Sequence, residues 1–160
     1  MNEILVAYYS RSGKTKAVAV HLARMLGADL EEITEAAHRS GAKGWLLAGR
    51  DTMFDRPATL TSSHDLSGRK VIVLGMPVWA FAPPPAIRAF IRQHDLAGKS
   101  VIAFATMDGS GGERTLESLA KMLPGGLACR LVLKKPRGDD PVLLAQLQEF
   151  AERIRSAKTA

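Results

Sequence analysis

Ile4-Leu5-Val6-Ala7-Tyr8-Tyr9, followed at once by Ser10-Arg11-Ser12-Gly13-Lys14-Thr15, is the stretch that decides the fold. The first six residues form a continuous apolar, partly β-branched run, which is how a strand buried on both faces reads. Val18, His21, Leu22 and Met25 then recur at helical spacing, and Gly27 supplies a stop. Further strands are expected at residues 30–33, 70–75 (Lys-Val-Ile-Val-Leu-Gly), 100–106 (Ser-Val-Ile-Ala-Phe-Ala-Thr) and 127–133 (Leu-Ala-Cys-Arg-Leu-Val-Leu). Helices fit between them at 86–93 after a proline start, at 113–122, and at 141–155 as the last element. Alternating strand and helix implies a parallel sheet with helices on both faces, an α/β doubly wound arrangement of five strands with five crossover helices. The one departure is the long connection 34–69, in which Trp45, Leu46, Gly49 and Met53 suggest a helix and 55–67 reads as loop.

Length and composition agree with one globular domain over residues 1–160. Hydrophobic residues make up 46% and charged residues 24%, which excludes a disordered or fibrous chain. No apolar run approaches the ~20 residues of a membrane helix, and Met1-Asn2-Glu3 lacks a basic leader, so neither a membrane span nor a secretory signal is expected. The single cysteine, Cys129, allows no intramolecular disulfide and no cysteine metal cluster, and suits a reducing cytoplasm. A net charge of +6 attracts acidic partners and anions generally, without the features that would mark a nucleic-acid binder.

Ligands of open parallel sheets bind beyond the carboxyl ends of the strands, where three loops of unusual composition fall. The first is Ser10-Arg11-Ser12-Gly13-Lys14-Thr15. Amides leading into a helix N-terminus form a concave donor site with partial positive charge, and Gly13 permits close approach or positive φ. A plain helix cap needs one hydroxyl; three (Ser10, Ser12, Thr15) around a glycine point to a bound anion. Gly13-Lys14-Thr15 mimics the end of a nucleoside-triphosphate loop, but Tyr8 stands where that motif needs glycine. A dinucleotide fingerprint needs further glycines that are not there, and a phosphorylated receiver would need acidic residues where Tyr8-Tyr9-Ser10 and Gly75-Met76 stand. A compact pocket for one terminal phosphate remains.

The second loop, Gly75-Met76-Pro77-Val78-Trp79-Ala80-Phe81-Ala82-Pro83-Pro84-Pro85, is stiffened by proline and carries two large π surfaces. One of Trp79 and Phe81 is expected to touch ligand and the other to pack on the sheet, with Trp79 as the ligand contact. The third, Thr106-Met107-Asp108-Gly109-Ser110-Gly111-Gly112, has glycines that let backbone groups meet a planar heterocycle edge-on.

In that order, Tyr-Ser-Arg-Ser-Gly-Lys-Thr, Gly-Met-Pro-Val-Trp and Ala-Thr-Met-Asp-Gly-Ser-Gly resemble the flavodoxin family over essentially the whole chain. The resemblance implies a five-stranded sheet of order 2-1-3-4-5 and FMN as cofactor. It implies that Ser10, Arg11, Ser12, Gly13, Lys14 and Thr15 hold the FMN phosphate, with Arg11 and Lys14 each either pairing with it or pointing to solvent. It further implies that Pro77, Val78, Trp79, Ala80 and Phe81, with Thr106, Met107, Asp108, Gly109 and Gly111, clasp the isoalloxazine ring. Residues 41–54 resemble a connection that reaches toward the flavin or a partner subunit, so a homodimer is among the expected partners. The chain departs from many carriers of the family in being basic.

Three functions follow from the resemblance. The first is an electron carrier between a reductase and an acceptor, with no catalytic side chain and no metal. The second is an NAD(P)H-dependent FMN oxidoreductase of quinone or flavin reductase type, with a small acceptor. The third is a non-catalytic flavin-binding interaction module. The four histidines (His21, His38, His64, His94) show no metal-ligand spacing and read as surface or helix-flank groups. Cys129 reads as a buried inert thiol, residues 134–137 as a solvated loop, and Glu31 and Glu32 as flanking a strand end.

Overall fold

The computed structural model describes residues 2–36 and 58–159. Strand β1 (Ile4–Tyr8) leads into helix α1 (Lys14–Leu26), and β2 (Asp29–Glu32) follows. After the long connection come β3 (Val71–Pro77), α2 (Pro85–Gln93), β4 (Ser100–Met107), α3 (Gly112–Met122), β5 (Cys129–Lys134) and α4 (Pro141–Thr159). The strands form one five-stranded sheet in the order β2-β1-β3-β4-β5, and every neighbouring pair is parallel. This is the expected doubly wound architecture, with four helices among the described residues. The expected helix around Trp45, Leu46, Gly49 and Met53, and the whole of 41–54, lie outside the described residues.

The two-residue period of a strand explains the two cores. Leu5, Ala7 and Tyr9 point to one face and join Ile72, Leu74, Phe90 and Leu116 beneath α2 and α3. Ile4, Val6 and Tyr8 point to the other and join Val18, Leu22, Phe104 and Phe150 beneath α1 and α4. Both faces of the central strands are therefore dry, which is why β1 reads as a solid apolar run rather than an alternation. Edge strand β2 alternates half-buried and exposed positions and carries Asp29, Glu31 and Glu32, charges that suit an unpaired sheet edge.

The described part of the segment read as loop, 58–67, is loop, tied to the chain beyond β2: Ala36 N–H donates to Thr59 at 2.9 Å and Thr61 N–H to Thr34 at 2.8 Å, around an isolated antiparallel bridge of Glu35 with Leu60. One expectation needs correction: the side chain of His64 is only 2% exposed rather than at the surface. Its ring bonds Glu31 at 2.5 Å and Ser62 at 2.8 Å, and packs edge-on against Phe90. A carboxylate on the edge strand needs partners as it is partly desolvated; Glu31 finds them in His64 and, at 3.7 Å, in Arg69, so it does more than flank a strand. His94 does sit at a helix flank, its ring bonding the Phe90 and His64 carbonyl oxygens. Cys129 is buried as expected, and burial pushes its thiol pKa up, away from the reactive thiolate.

Strands β3 and β4 each run one or two residues past their expected ends. Pro77 pairs with Thr106, and Val78 N–H donates to the Thr106 carbonyl at 3.0 Å. This extra pairing carries ordered backbone up to the sheet edge where the three loops meet.

Candidate functional site

The site is built on the carboxyl ends of β1, β3 and β4. In the first loop, the Ser10 hydroxyl oxygen accepts hydrogen bonds from the Gly13 amide (3.1 Å) and the Lys16 amide (3.3 Å). Gly13 caps α1 in the left-handed region at φ 91°, with no side-chain cap. Among the described residues, the amides of Lys14 and Thr15 have no acceptor, so the first turn of α1 presents open donors together with the positive end of its dipole. Thr15 and Thr106 are both buried and their hydroxyls share a bond of 2.8 Å. Two hydroxyls sharing one bond leave one hydrogen over for another acceptor.

The second loop is backbone-strained. Ala80 (φ 49°) and Phe81 (φ 61°) are consecutive left-handed residues, and Ala82 N–H closes the turn on the Trp79 carbonyl at 3.1 Å. Such a turn normally uses glycine or asparagine, and each non-glycine residue held there costs about 1–3 kcal/mol. The turn sorts the two rings: both line the cleft, but the ring expected to pack on the sheet, Phe81, is the exposed one. Trp79 is buried and packs edge-to-face on Tyr9, centroids 5.3 Å apart, whereas Phe81 is 48% exposed. Phe81 lies directly on Gly111, where a Cβ would fall 2.1 Å from its ring; Gly111 itself has φ +97°. A side chain at 111 would meet both a steric and a conformational penalty.

The third loop ends β4 and is tied to the first. Lys14 Nζ donates to both carboxylate oxygens of Asp108, at 2.8 and 3.0 Å. That ammonium holds the Asp108 carboxyl below the usual range, with Lys135 contributing through its charge. Lys14 therefore points across the site to a protein carboxylate rather than freely to solvent. Arg11 sits with its guanidinium carbon 5.9 Å from the Trp79 ring centroid.

Together the loops enclose a cleft of about 330 Å³, the size of a small-ligand site. Thirteen of the expected residues line it: Arg11, Ser12, Lys14 and Thr15; Pro77, Val78, Trp79, Ala80 and Phe81; Thr106, Met107, Asp108 and Gly109. Ser10 is not among the lining residues, its hydroxyl being taken by the Gly13 and Lys16 amides; Gly111 lies behind Phe81, and Gly13 faces an adjoining hollow of about 240 Å³ shared with Pro136 and Gly138. Ser110, within the same glycine loop, lines the cleft as well. Sequence reasoning missed the pair Tyr9 and Glu35, whose side chains bond each other behind Trp79. Among the described residues, no group of three His, Cys, Asp or Glu could hold a metal ion.

A parallel sheet of this order, with an anion-ready loop after its first strand and aromatic and glycine loops beside it, defines an α/β protein of flavodoxin type. The chain belongs to the flavodoxin family, whose model matches residues 3–133. No curated protein matches it in sequence. Among solved structures it is similar to a flavoprotein of Bacteroides uniformis (24% identity, 93% of this chain and 97% of that one, TM-score 0.79). It is also similar to a flavoprotein of Bacteroides eggerthii (29% identity, 92% and 97%, TM-score 0.73). A third is a flavoprotein of Lactobacillus acidophilus solved in complex with FMN (21% identity, 89% and 97%, TM-score 0.70).

Proposed function

We propose that the chain binds FMN in this cleft and carries electrons between a reductase and an acceptor. The observation that carries the reading is the first turn of α1: open amides at Lys14 and Thr15, a left-handed Gly13 before them, and a spare hydroxyl hydrogen at the Thr15–Thr106 pair. That donor set fits a phosphate monoester, which offers several acceptor oxygens and two negative charges. The FMN complex of the Lactobacillus acidophilus relative supports it.

FMN, when bound, supplies the reversible uptake of electrons. The chain's own residues bind and shape. Ser12 and Thr15 would hold the phosphate, with the Lys14 ammonium beside it, drawn toward the Asp108 carboxylate. Trp79, fixed against Tyr9, and Phe81, raised by its strained turn, would bound the ring and exclude water from it. The single buried thiol suits a reducing compartment such as the cytoplasm, and none of the described helices is long and apolar enough to cross a membrane. A second reading, an NAD(P)H-dependent FMN oxidoreductase, is favoured by the exposure of Phe81 at the cleft, which would leave a bound ring within reach of a second cofactor.

The test is an FMN titration followed by anaerobic addition of NADPH. FMN should bind, and Ser12→Glu should weaken binding severely by setting a carboxylate against the phosphate. Bleaching only with an added reductase supports the carrier, and rapid bleaching with NADPH alone supports the oxidoreductase. A colourless protein that ignores FMN, or a Ser12→Glu variant with undiminished affinity, removes the cleft from the flavin reading.

A further inference from the structure

Phe81 has two sides. One bounds the cleft just described; the other bounds a separate groove of about 440 Å³ whose opposite wall is α3, with Arg114, Glu117, Ser118 and Lys121. Spacings of three, four and seven residues place these four on one face of the helix. The Arg114 guanidinium carbon lies 5.9 Å from the Phe81 ring centroid. Arg114, Glu117 and Lys121 are exposed, and among the described residues none of them makes an ion pair. The wall that carries Phe81 is the strained turn with φ 49° and 61° at Ala80 and Phe81. Conformational energy is thus spent holding an aromatic ring half in water between a cleft and a set of charges with no ion-pair partner among the described residues, an arrangement that gains its value when something stacks there.

We propose that this groove is a binding site for a planar aromatic monoanion, an aromatic carboxylate. Its ring stacks on the exposed side of Phe81, and its carboxylate is taken by Arg114 and Lys121 with the Ser118 hydroxyl as a further donor. A guanidinium matches a carboxylate in a two-bond fork and also lies flat on aromatic surfaces, so Arg114 serves both parts of such a ligand. Glu117 decides the charge. Two cations and one carboxylate leave the groove one positive charge in excess, which suits a monoanion over a dianionic phosphate. Ala80 and Phe81 belong to both the groove and the cleft, so a ligand here occupies the place of a small co-substrate beside the proposed cofactor site. Binding itself needs no flavin, so its failure would leave the FMN reading untouched.

The experiment is a titration of the full chain with 2-naphthoate, followed by two-dimensional amide NMR. Shifts should concentrate at residues 80–82 and 114–121. Arg114→Ala should weaken binding about tenfold or more, as should replacing the probe by cyclohexanecarboxylate (charge without a π face) or 2-naphthalenemethanol (ring without charge). FMN affinity of Arg114→Ala should be unchanged. The proposal is overturned if naphthoate binds Arg114→Ala as well as the parent, if cyclohexanecarboxylate binds equally well, or if the shifts fall at Ser12 and Thr15 instead.

Discussion

Lys14, the first residue of α1, grips both oxygens of Asp108, so that the loops after β1 and β4 are joined across the mouth of the cleft by one ion pair. Both partners are exposed, and such pairs contribute only about 0.2–1 kcal/mol to stability. Their weight should fall on ligand binding instead.

Lys14→Met should weaken FMN binding about three- to tenfold by removing a cation beside the proposed phosphate site, whereas Asp108→Asn should strengthen it by freeing the ammonium and removing a rim carboxylate. Flavin fluorescence titration at low and high salt reads both, and the difference should shrink as salt rises. Two shifts in the same direction would show that the pair does not act on the bound anion. Because the Asp108 acid is depressed, its stabilising contribution is complete above the unfolded carboxyl value of ~4. It is lost only as pH falls through the lower folded value.

Gly111→Ala should destabilise the fold by about 1–3 kcal/mol, since the new methyl would meet the Phe81 ring and the backbone is left-handed there. Part of this loss is steric and part conformational. On a Phe81→Ala background only the conformational part survives, so urea unfolding should show a coupling of at least ~0.5 kcal/mol between the two substitutions. Additive losses would mean that the ring simply swings away.

The sequence made the fold and the position of the site legible because both rest on local patterns. Ile4 to Tyr9 reads as doubly buried, Gly27 as a stop and Pro85 as a start, and the sheet order follows once the family is recognised. The packing of the two aromatic residues was not legible. Trp79 and Phe81 are two residues apart, and which is buried depends on left-handed dihedrals at Ala80 and Phe81, residue types that carry no signal for such a turn. His64 was hidden for a different reason: its partners Glu31 and Phe90 lie far away in sequence, so nothing around position 64 announces burial.

Ala80→Gly should raise the urea midpoint, the reverse of the usual effect of that substitution. Glycine relieves the left-handed penalty of ~1–2 kcal/mol and forfeits ~0.5–1 kcal/mol through the freer unfolded chain. A net gain of about 0.5–1 kcal/mol is expected from those two amounts. A lower midpoint would mean that the strain at φ 49° is absorbed elsewhere in the turn.

Tyr8 gives the clearest alkaline signature. Burial raises its phenol pKa, and the adjacent Glu32 carboxylate, 3.2 Å from the hydroxyl, raises it further, to about 12. A folded value above the unfolded value of ~10 means that the contribution is fully present below pH ~10 and disappears as pH rises through the folded value. The chain holds two tyrosines, so Tyr9→Phe leaves Tyr8 as the only phenol to titrate. Ultraviolet difference spectra of that variant should show a midpoint near 12 while circular dichroism stays native. Adding Glu32→Gln should bring the midpoint down without abolishing the shift, because burial is the larger cause. A midpoint near the ordinary ~10 in the folded Tyr9→Phe protein would show that neither burial nor Glu32 acts on the phenol.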